Sequence, residues 1–384
     1  MKKRLVILSF FCAVSSLYAE SDMGVRLEEK VITTTGFSET VKDEIKNVIV
    51  INQQDIEKKH YNQVTDILKD YSMINVSGTS QGTIINMRGQ NHSAIDMKVK
   101  VMIDGVPINT IMSPQGFNTI PVATIEKIEI LPGSGAVLYG DRASGGYINI
   151  ITKKNVDKPF LSLDSGIGSY NKKYTNIFTG TKITDKLGIM IGYNGLSRDG
   201  YRDNDRGVEN SYSGTLTYDI TNNQRLTLKG ENYRGDFNFT DAVAKTKLEK
   251  DRESAGAISR WYSRRESYQA VYEGKFDKFT LGISGFKSKI DNDTQSTRLT
   301  NCTMDIEGIG VKGRYEHLNG ILIAGYDYSK NNGIMKSSST AMDVDKVTNA
   351  IYALEKYKFN DKLVLSVGGR KEWNEYDGYR RNWS

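Results

Sequence analysis

Residues 125–153 constrain this chain more than any other stretch. They open on Ile125, Ile128, Ile130 and Leu131, a β-branched apolar run that reads as a strand. Pro132-Gly133-Ser134 breaks the run. Leu138-Tyr139-Gly140 and the pair Gly145-Gly146 follow, and Tyr147-Ile148-Asn149-Ile150-Ile151-Thr152 reads as a second strand. Glycines in such a connection suit tight turns and close packing against a neighbouring surface. A phosphate cradle would need G-x-x-x-x-G-K-[ST], which this segment lacks.

Four further segments stand upstream in order. Lys30, Val31, Ile32, Thr33, Thr34 and Thr35 form a β-branched peptide near the start. Thr65-Asp66-Ile67-Leu68 suits a helix. Ile85-Asn86-Met87-Arg88-Gly89 ends a strand, and Val101-Met102-Ile103-Asp104-Gly105-Val106-Pro107 makes a strand and a turn, with Asp-Gly suited to a hairpin. Together with 125–153, this series resembles the plug of TonB-dependent outer-membrane receptors, and residues 30–35 are similar to a TonB box. The resemblance covers residues 30–153 in family order. It implies a plug that blocks a transmembrane β-barrel, and a periplasmic TonB protein that pairs with residues 30–35 by strand addition. The competing reading of 30–35 is an extended linker. The chain departs from the family pattern at Pro132-Gly133-Ser134, where a basic residue and Gly-Pro are usual, and at Ala136, where Ser is usual. That basic residue takes part in plug–barrel ion pairs in the family, so the lock here is expected to be weaker or built differently.

Residues 1–19 read as a secretory signal: Lys2, Lys3 and Arg4, then an apolar core, then small and polar residues to Ala19. The core is too short to span a bilayer as a helix. Loss of the three signal cations lowers the net charge from +6 to +3, a near-balance that offers no argument for a nucleic-acid partner. It also leaves one cysteine, Cys302, which cannot form an internal disulfide. The 36 glycines and 22 tyrosines against 5 prolines fit a transmembrane β-barrel, in which only alternate residues face lipid. A soluble all-β protein shows the same alternation, and the plug motifs decide between them.

The expected organisation is a leader over 20–36, an α+β plug over 37–153 and antiparallel transmembrane barrel strands over 154–384. Within the plug, strands are expected at 48–51, 83–87, 98–103, 125–131 and 147–152. Asn52 should cap one helix with Asp55 at its third position, and Asn62 should start another. In the barrel part, Tyr212, Gly214, Leu216, Tyr218 and Ile220 should face lipid, with Ser213, Thr215, Thr217 and Asp219 facing the lumen. Tyr268, Ala270, Tyr272, Gly274 and Phe276 repeat the pattern. Short turns near 184–186, 221–223, 277–278, 318–320 and 360–361 should be periplasmic. Long polar loops are expected near 198–210, 234–264, 291–304 and 330–345. The strands number roughly eleven, where plugged transporters have about 22. The last should end before an outer loop holding residues 382–384. The barrel is therefore expected to be incomplete, a fragment with unsatisfied sheet edges.

Candidate site residues divide by role. Residues 30–35 are the TonB-binding candidate. Arg88 is either a plug charge paired with barrel acids or an ordinary solvated arginine. His92, in a polar loop, is either a ligand contact at the plug apex, suited to haem iron, or an unremarked loop histidine. His60 and His317 carry no motif. There is no catalytic cluster, metal spacing or nucleophile motif, so an enzyme, a resident metal and a cofactor are not expected. The resemblance implies active uptake of a scarce bulky nutrient at the outer membrane. A ferric siderophore leads, with haem, cobalamin or a glycan as other ligands. A passive surface barrel serving as adhesin or phage or toxin receptor is the alternative from another class; a non-functional truncated fragment is the third.

Overall fold

The computed structural model describes residues 30–31, 37, 39–40, 48–59, 61, 63–79, 82–87, 98–108, 120–133, 136–140, 143–240, 243–295, 300–337, 340–360, 363–377 and 381–383. The expected signal segment, Ile32–Thr35 of the TonB-box candidate, His60, Asn62, Arg88 and His92 lie outside the described residues.

Two short strands, β1 (Lys30–Val31) and β2 (Glu39–Thr40), pair antiparallel. The plug follows: β3 (Ile49–Asn52), α1 (Gln53–Lys58), α2 (Val64–Lys69), β4 (Ile74–Thr79), β5 (Gly82–Met87), β6 (Val99–Ile103), β7 (Val106–Pro107), β8 (Ile125–Pro132), α3 (Ala136–Tyr139) and β9 (Gly146–Thr152). Its main sheet runs β3-β8-β9-β6-β7, and the β6–β9 pair is parallel while its other pairs are antiparallel. Asn52 caps α1 by accepting from the Asp55 N–H at 3.1 Å, as its position predicts. The cap of α2 is Gln63, with no side-chain bond to the helix. The core lies on one face of this sheet, where Ile51, Val101, Ile128, Ile130, Ile148 and Ile150 meet Ile56, Val64, Ile67 and Leu68 of the helices. Fully burying side chains of this size is worth about 1.5–3 kcal/mol each.

The barrel strands form one antiparallel meander: β10 (Phe160–Gly168), β11 (Lys172–Lys182), β12 (Leu187–Asp199), β13 (Arg206–Thr221), β14 (Gln224–Thr240), β15 (Ile258–Phe276), β16 (Phe279–Gln295), β17 (Thr300–His317), β18 (Gly320–Ser337), β19 (Thr340–Asn360) and β20 (Leu363–Asp377). A helix, α4 (Lys245–Lys250), lies in the connection between β14 and β15. Among the described residues the sheet is not closed, since β10 pairs with β11 alone and β20 with β19 alone. Side-chain alternation agrees with the lipid and lumen sets read from the sequence. Tyr212 and Tyr268 are exposed on one face, while Ser213, Thr215 and Thr217 are buried on the other. Among the described residues, no helix is long and apolar enough to cross a membrane, and crossing strands have no need of one.

Two expectations are corrected. The loops expected near 291–304 and 330–345 are largely strand, since β16 runs to Gln295, β17 starts at Thr300, β18 runs to Ser337 and β19 starts at Thr340, and strands narrow the loop expected near 234–264 to 241–257. Transmembrane strands need about 9–11 residues, so strands of 17–21 residues extend beyond the apolar band. There, opposite charges stand side by side across strands, as in the row Glu266, Lys289, Asp305. Such pairs stabilise a ladder in a polar stretch that hydrophobic alternation does not mark. Asn382 and Trp383 likewise belong to a strand, β21 (Arg381–Trp383), which pairs with Ala341 and Thr340 of β19.

Candidate functional site

The plug packs against the inner face of the meander, and the polar contacts between them are unevenly placed. The strongest is at the β6–β7 turn. Asp104 and Gly105 both take positive φ, +48° and +88°, the backbone that an Asp-Gly hairpin turn favours. The turn aims the Asp104 carboxylate at β14, where Lys229 Nζ lies 2.8 Å away and pairs also with Glu231 at 2.7 Å. Thr152, at the end of β9, donates to Asp104 from its backbone N–H at 2.9 Å and from its hydroxyl at 2.6 Å. Gln269 of β15 donates to the Asp104 carbonyl at 2.7 Å. Both charged partners are nearly inaccessible, at 3% for Asp104 and 7% for Lys229.

Burial works against ionisation of Asp104. The charges of Lys229 and Lys154 and the hydrogen bonds from Lys229 and Thr152 outweigh it, and the carboxyl sits below the ordinary carboxylate range. The arrangement is a plug anion gripped by a barrel cation. It supplies a lock where the sequence departs from the family pattern at Pro132-Gly133-Ser134. Asp104 was read from the sequence only as a turn residue. No local signal marks Lys229 as its partner, because the two are 125 positions apart.

A second contact lies on the same side. Gln63 donates to Glu209 of β13 at 2.6 Å, and the Tyr233 hydroxyl of β14 donates to the same carboxylate at 2.9 Å. On the other side, Arg370 of β20 pairs with Asp327 of β18 at 2.8 Å and with Glu372 at 3.2 Å, both barrel residues. From the plug it meets the Leu138 carbonyl, at 3.5 Å. Gly140, just after α3, has φ +67°, and a Cβ there would come within 2.7 Å of Glu372 and 2.9 Å of Arg370. Its glycine thus serves both a left-handed turn and close approach to the wall. Tyr139 stacks on Tyr147 with centroids 3.7 Å apart, and burial pushes both phenols above their ordinary range.

The other expected residues fall elsewhere. Val31 is fully buried against Val48, Leu131 and Tyr147, so this end of the TonB-box candidate is tucked against the plug. His317 ends β17 and lies 2.8 Å from Glu355. Cys302 is buried and packs with Ile290, Met304 and Ile306. Among the described residues, no group of His, Cys, Asp and Glu is arranged to hold a metal ion.

A unit of mixed sheet and short helices is thus seated on the inner face of an open antiparallel meander. Residues 40–147 match the family model of the TonB-dependent receptor plug domain. Over 186 residues the chain is 32% identical to the vitamin B12 transporter BtuB of Vibrio vulnificus, an alignment covering 47% of this chain and 30% of that transporter. Its fold superposes on the pyoverdine outer-membrane receptor FpvA of Pseudomonas aeruginosa with a TM-score of 0.80 at 15% identity, covering 94% of this chain and 62% of that one. The alcaligin receptor FauA of Bordetella pertussis gives a TM-score of 0.73 at 18% identity, covering 93% and 60%. The chain spans about a third of the length of the curated relatives it matches, 30–36%. In its plug segment and in its fold the chain is thus similar to the TonB-dependent receptors.

Proposed function

We propose that this chain works within an outer-membrane receptor that takes up a scarce, bulky nutrient with energy drawn from TonB, and that a ferric siderophore is the cargo. The observation that carries the reading is the buried Asp104–Lys229 pair between plug and wall. A gate held by a desolvated ion pair is costly to pull apart, which suits a receptor that opens only when worked upon. A passive adhesin has no use for such a gate.

Residues 30–35 are proposed as the TonB-binding segment. Val31 is buried and β1 already has β2 as a partner, so pairing with TonB requires release from the plug. Ile32→Pro in the receptor removes a backbone donor from that pairing. The expected outcome is loss of ferric-siderophore uptake with binding at the cell surface nearly unchanged; undiminished uptake would count against the role.

Cobalamin is the second reading, favoured by the sequence likeness to the vitamin B12 transporter. Uptake of radiolabelled iron complexes and of labelled cobalamin by cells carrying the receptor, with and without TonB, separates the two. Arg88 and His92 remain proposals, as a plug charge facing the barrel and as a ligand contact.

A further inference from the structure

On the outward face of the meander, beyond the apolar band, charges alternate in sign across strands. Glu266, Lys289 and Asp305 stand in one row, and Lys287, Glu307 and Lys330 in the next. One position breaks the alternation. Arg234 of β14 stands directly opposite Arg264 of β15. Both are exposed, Arg234 between buried Tyr233 and Gly235, and Arg264 between buried Ser263 and Arg265. Like charges directly opposite destabilise a sheet, so this doublet works against the fold.

Nearby acids do not relieve it. Asp236 is taken by Arg260 through two hydrogen bonds, at 2.9 and 2.6 Å. Asp291, across from Arg264, lies 3.8 Å from Lys289 instead. Glu266 accepts from Asn232 at 3.5 Å. Among the described residues, neither arginine of the doublet forms an ion pair. Arg264 lies over the Tyr262 ring at 4.8 Å and donates from Nε to the Tyr262 hydroxyl at 2.7 Å. That contact orients the guanidinium and leaves its Nη donors for another acceptor.

Height along the strands selects the acceptor. Tyr212 and Tyr268, exposed on the same face, mark the aromatic girdle at the outer edge of the hydrocarbon. Arg234 is two residues beyond Asn232, which faces Tyr212, and Arg264 is four residues beyond Tyr268. At about 3.3 Å per residue and a tilt of about 40°, the pair stands about 5–10 Å above the girdle. The headgroup layer adds about 5–8 Å to each side of the hydrocarbon core, so both guanidinium groups lie at the level of lipid phosphates.

We propose that Arg234 and Arg264 together clamp the phosphomonoester group of an outer-leaflet lipid. A phosphomonoester carries about −1.5 to −2 charges at neutral pH, which matches two guanidinium forks; a singly charged phosphodiester matches one. The bound dianion turns the repulsion within the doublet into a shared attraction. This clamp rests on the outer-membrane reading and is independent of the cargo.

The test uses the receptor purified from outer membranes in neutral detergent. The probes are phosphatidic acid as the phosphomonoester lipid, phosphatidylglycerol as the phosphodiester and inorganic phosphate as the free anion. The temperature at which heat-resistant gel migration is lost is the readout. Phosphatidic acid is expected to raise it more than phosphatidylglycerol does. Arg234→Gln is expected to raise the lipid-free temperature slightly, since the repulsion is gone, and to remove most of the gain from phosphatidic acid. Affinity for that lipid, measured by native mass spectrometry, should fall roughly tenfold. Lys330→Gln, an equal loss of charge elsewhere on this face, should keep the gain. Arg264→Gln, expected to lose the gain likewise, stands in if Arg234→Gln does not fold. Equal gains with and without Arg234, or equal gains from the two lipids, would overturn the proposal. Protection by inorganic phosphate alone would assign a soluble anion and overturn the lipid. Uptake is not read, so failure here leaves TonB coupling standing, whereas absence of the chain from the outer-membrane fraction would sink the outer-membrane reading before any lipid is added.

Discussion

The two sides of the plug meet the wall differently. Toward β13–β15, side chains of plug and wall bond directly: Gln63 with Glu209, and Asp104 with Lys229. Toward β18–β20, the wall satisfies its own charges. Arg370 is held by Asp327 and Glu372, and among the described residues the plug meets it with the Leu138 carbonyl. A cavity of about 260 Å³, with Ser329 on its wall, lies on this second side. Breaking a cross-body ion pair strands a charge on each body, whereas parting bodies that are each neutralised within themselves strands none. The first side is thus built as an anchor and the second as a seam.

Lys229→Met attacks the anchor hardest. It leaves the carboxylates of Asp104 and Glu231 facing each other in a buried site, and removing one partner of a buried pair costs about 3–5 kcal/mol. Asp104→Asn is milder, at about 1–3 kcal/mol, because Lys229 keeps Glu231. Urea unfolding of the plug inside the folded barrel, read by limited proteolysis of residues 37–153, should show both the loss and this order. Equal midpoints for the two variants would mean that Glu231 does not matter to the anchor.

Acid tests the same pair without mutation. The Asp104 carboxyl is shifted below its ordinary range in the folded protein, so its contribution is fully present above the unfolded value, about 3.9. It is lost as pH falls through the lower folded value. Plug retention should be flat from neutral pH to about 4 and decline only below that. In Asp104→Asn that portion of the decline should vanish. A transition near pH 6 unaffected by the substitution would assign acid sensitivity to other groups.

The contrast between anchor and seam was only half visible in the sequence. Plug strands, the Asp104-Gly105 turn and the alternation of Tyr212 to Ile220 were legible because each depends on neighbours in the chain. The use of Gly140 against the wall was legible as well, since a glycine there had no helical or catalytic reason to exist. The Asp104–Lys229 pair was not. A lumen-facing lysine in an alternating strand looks like any other polar position until topology brings the turn beside it. The strand extensions above the membrane escaped for a related reason. Their order comes from charges matched across strands, such as Glu266 with Lys289, and a single strand does not display its neighbours.

Arg370→Gln probes the seam. It releases Asp327 and Glu372, which are 37% and 18% accessible, and water can offset part of the loss. The expected cost is about 1–2 kcal/mol, borne by the barrel wall, with the urea midpoint of the plug close to that of the unsubstituted receptor. A plug midpoint as low as that of Lys229→Met would make the seam a second anchor.

Gly140→Ala should have the smallest effect, and its sign depends on how the seam yields. Alanine at φ +67° costs about 1 kcal/mol from backbone strain alone. Its methyl group would also press on Glu372 Oε2 and Arg370 Nε, at 2.7 and 2.9 Å. Both are far ends of flexible side chains, so they can swing aside at the cost of weakening their own pairing. If the seam is as separable as its charges imply, the substitution loosens α3 from β20 and leaves the anchor intact. Thiol labelling at Ser329→Cys in a Cys302→Ser background should then rise about fivefold, in keeping with a strain near 1 kcal/mol, while the plug midpoint moves by less than for Asp104→Asn. If the plug midpoint instead falls as far as for Asp104→Asn, the two sides act as one rigid contact, and the distinction between anchor and seam fails.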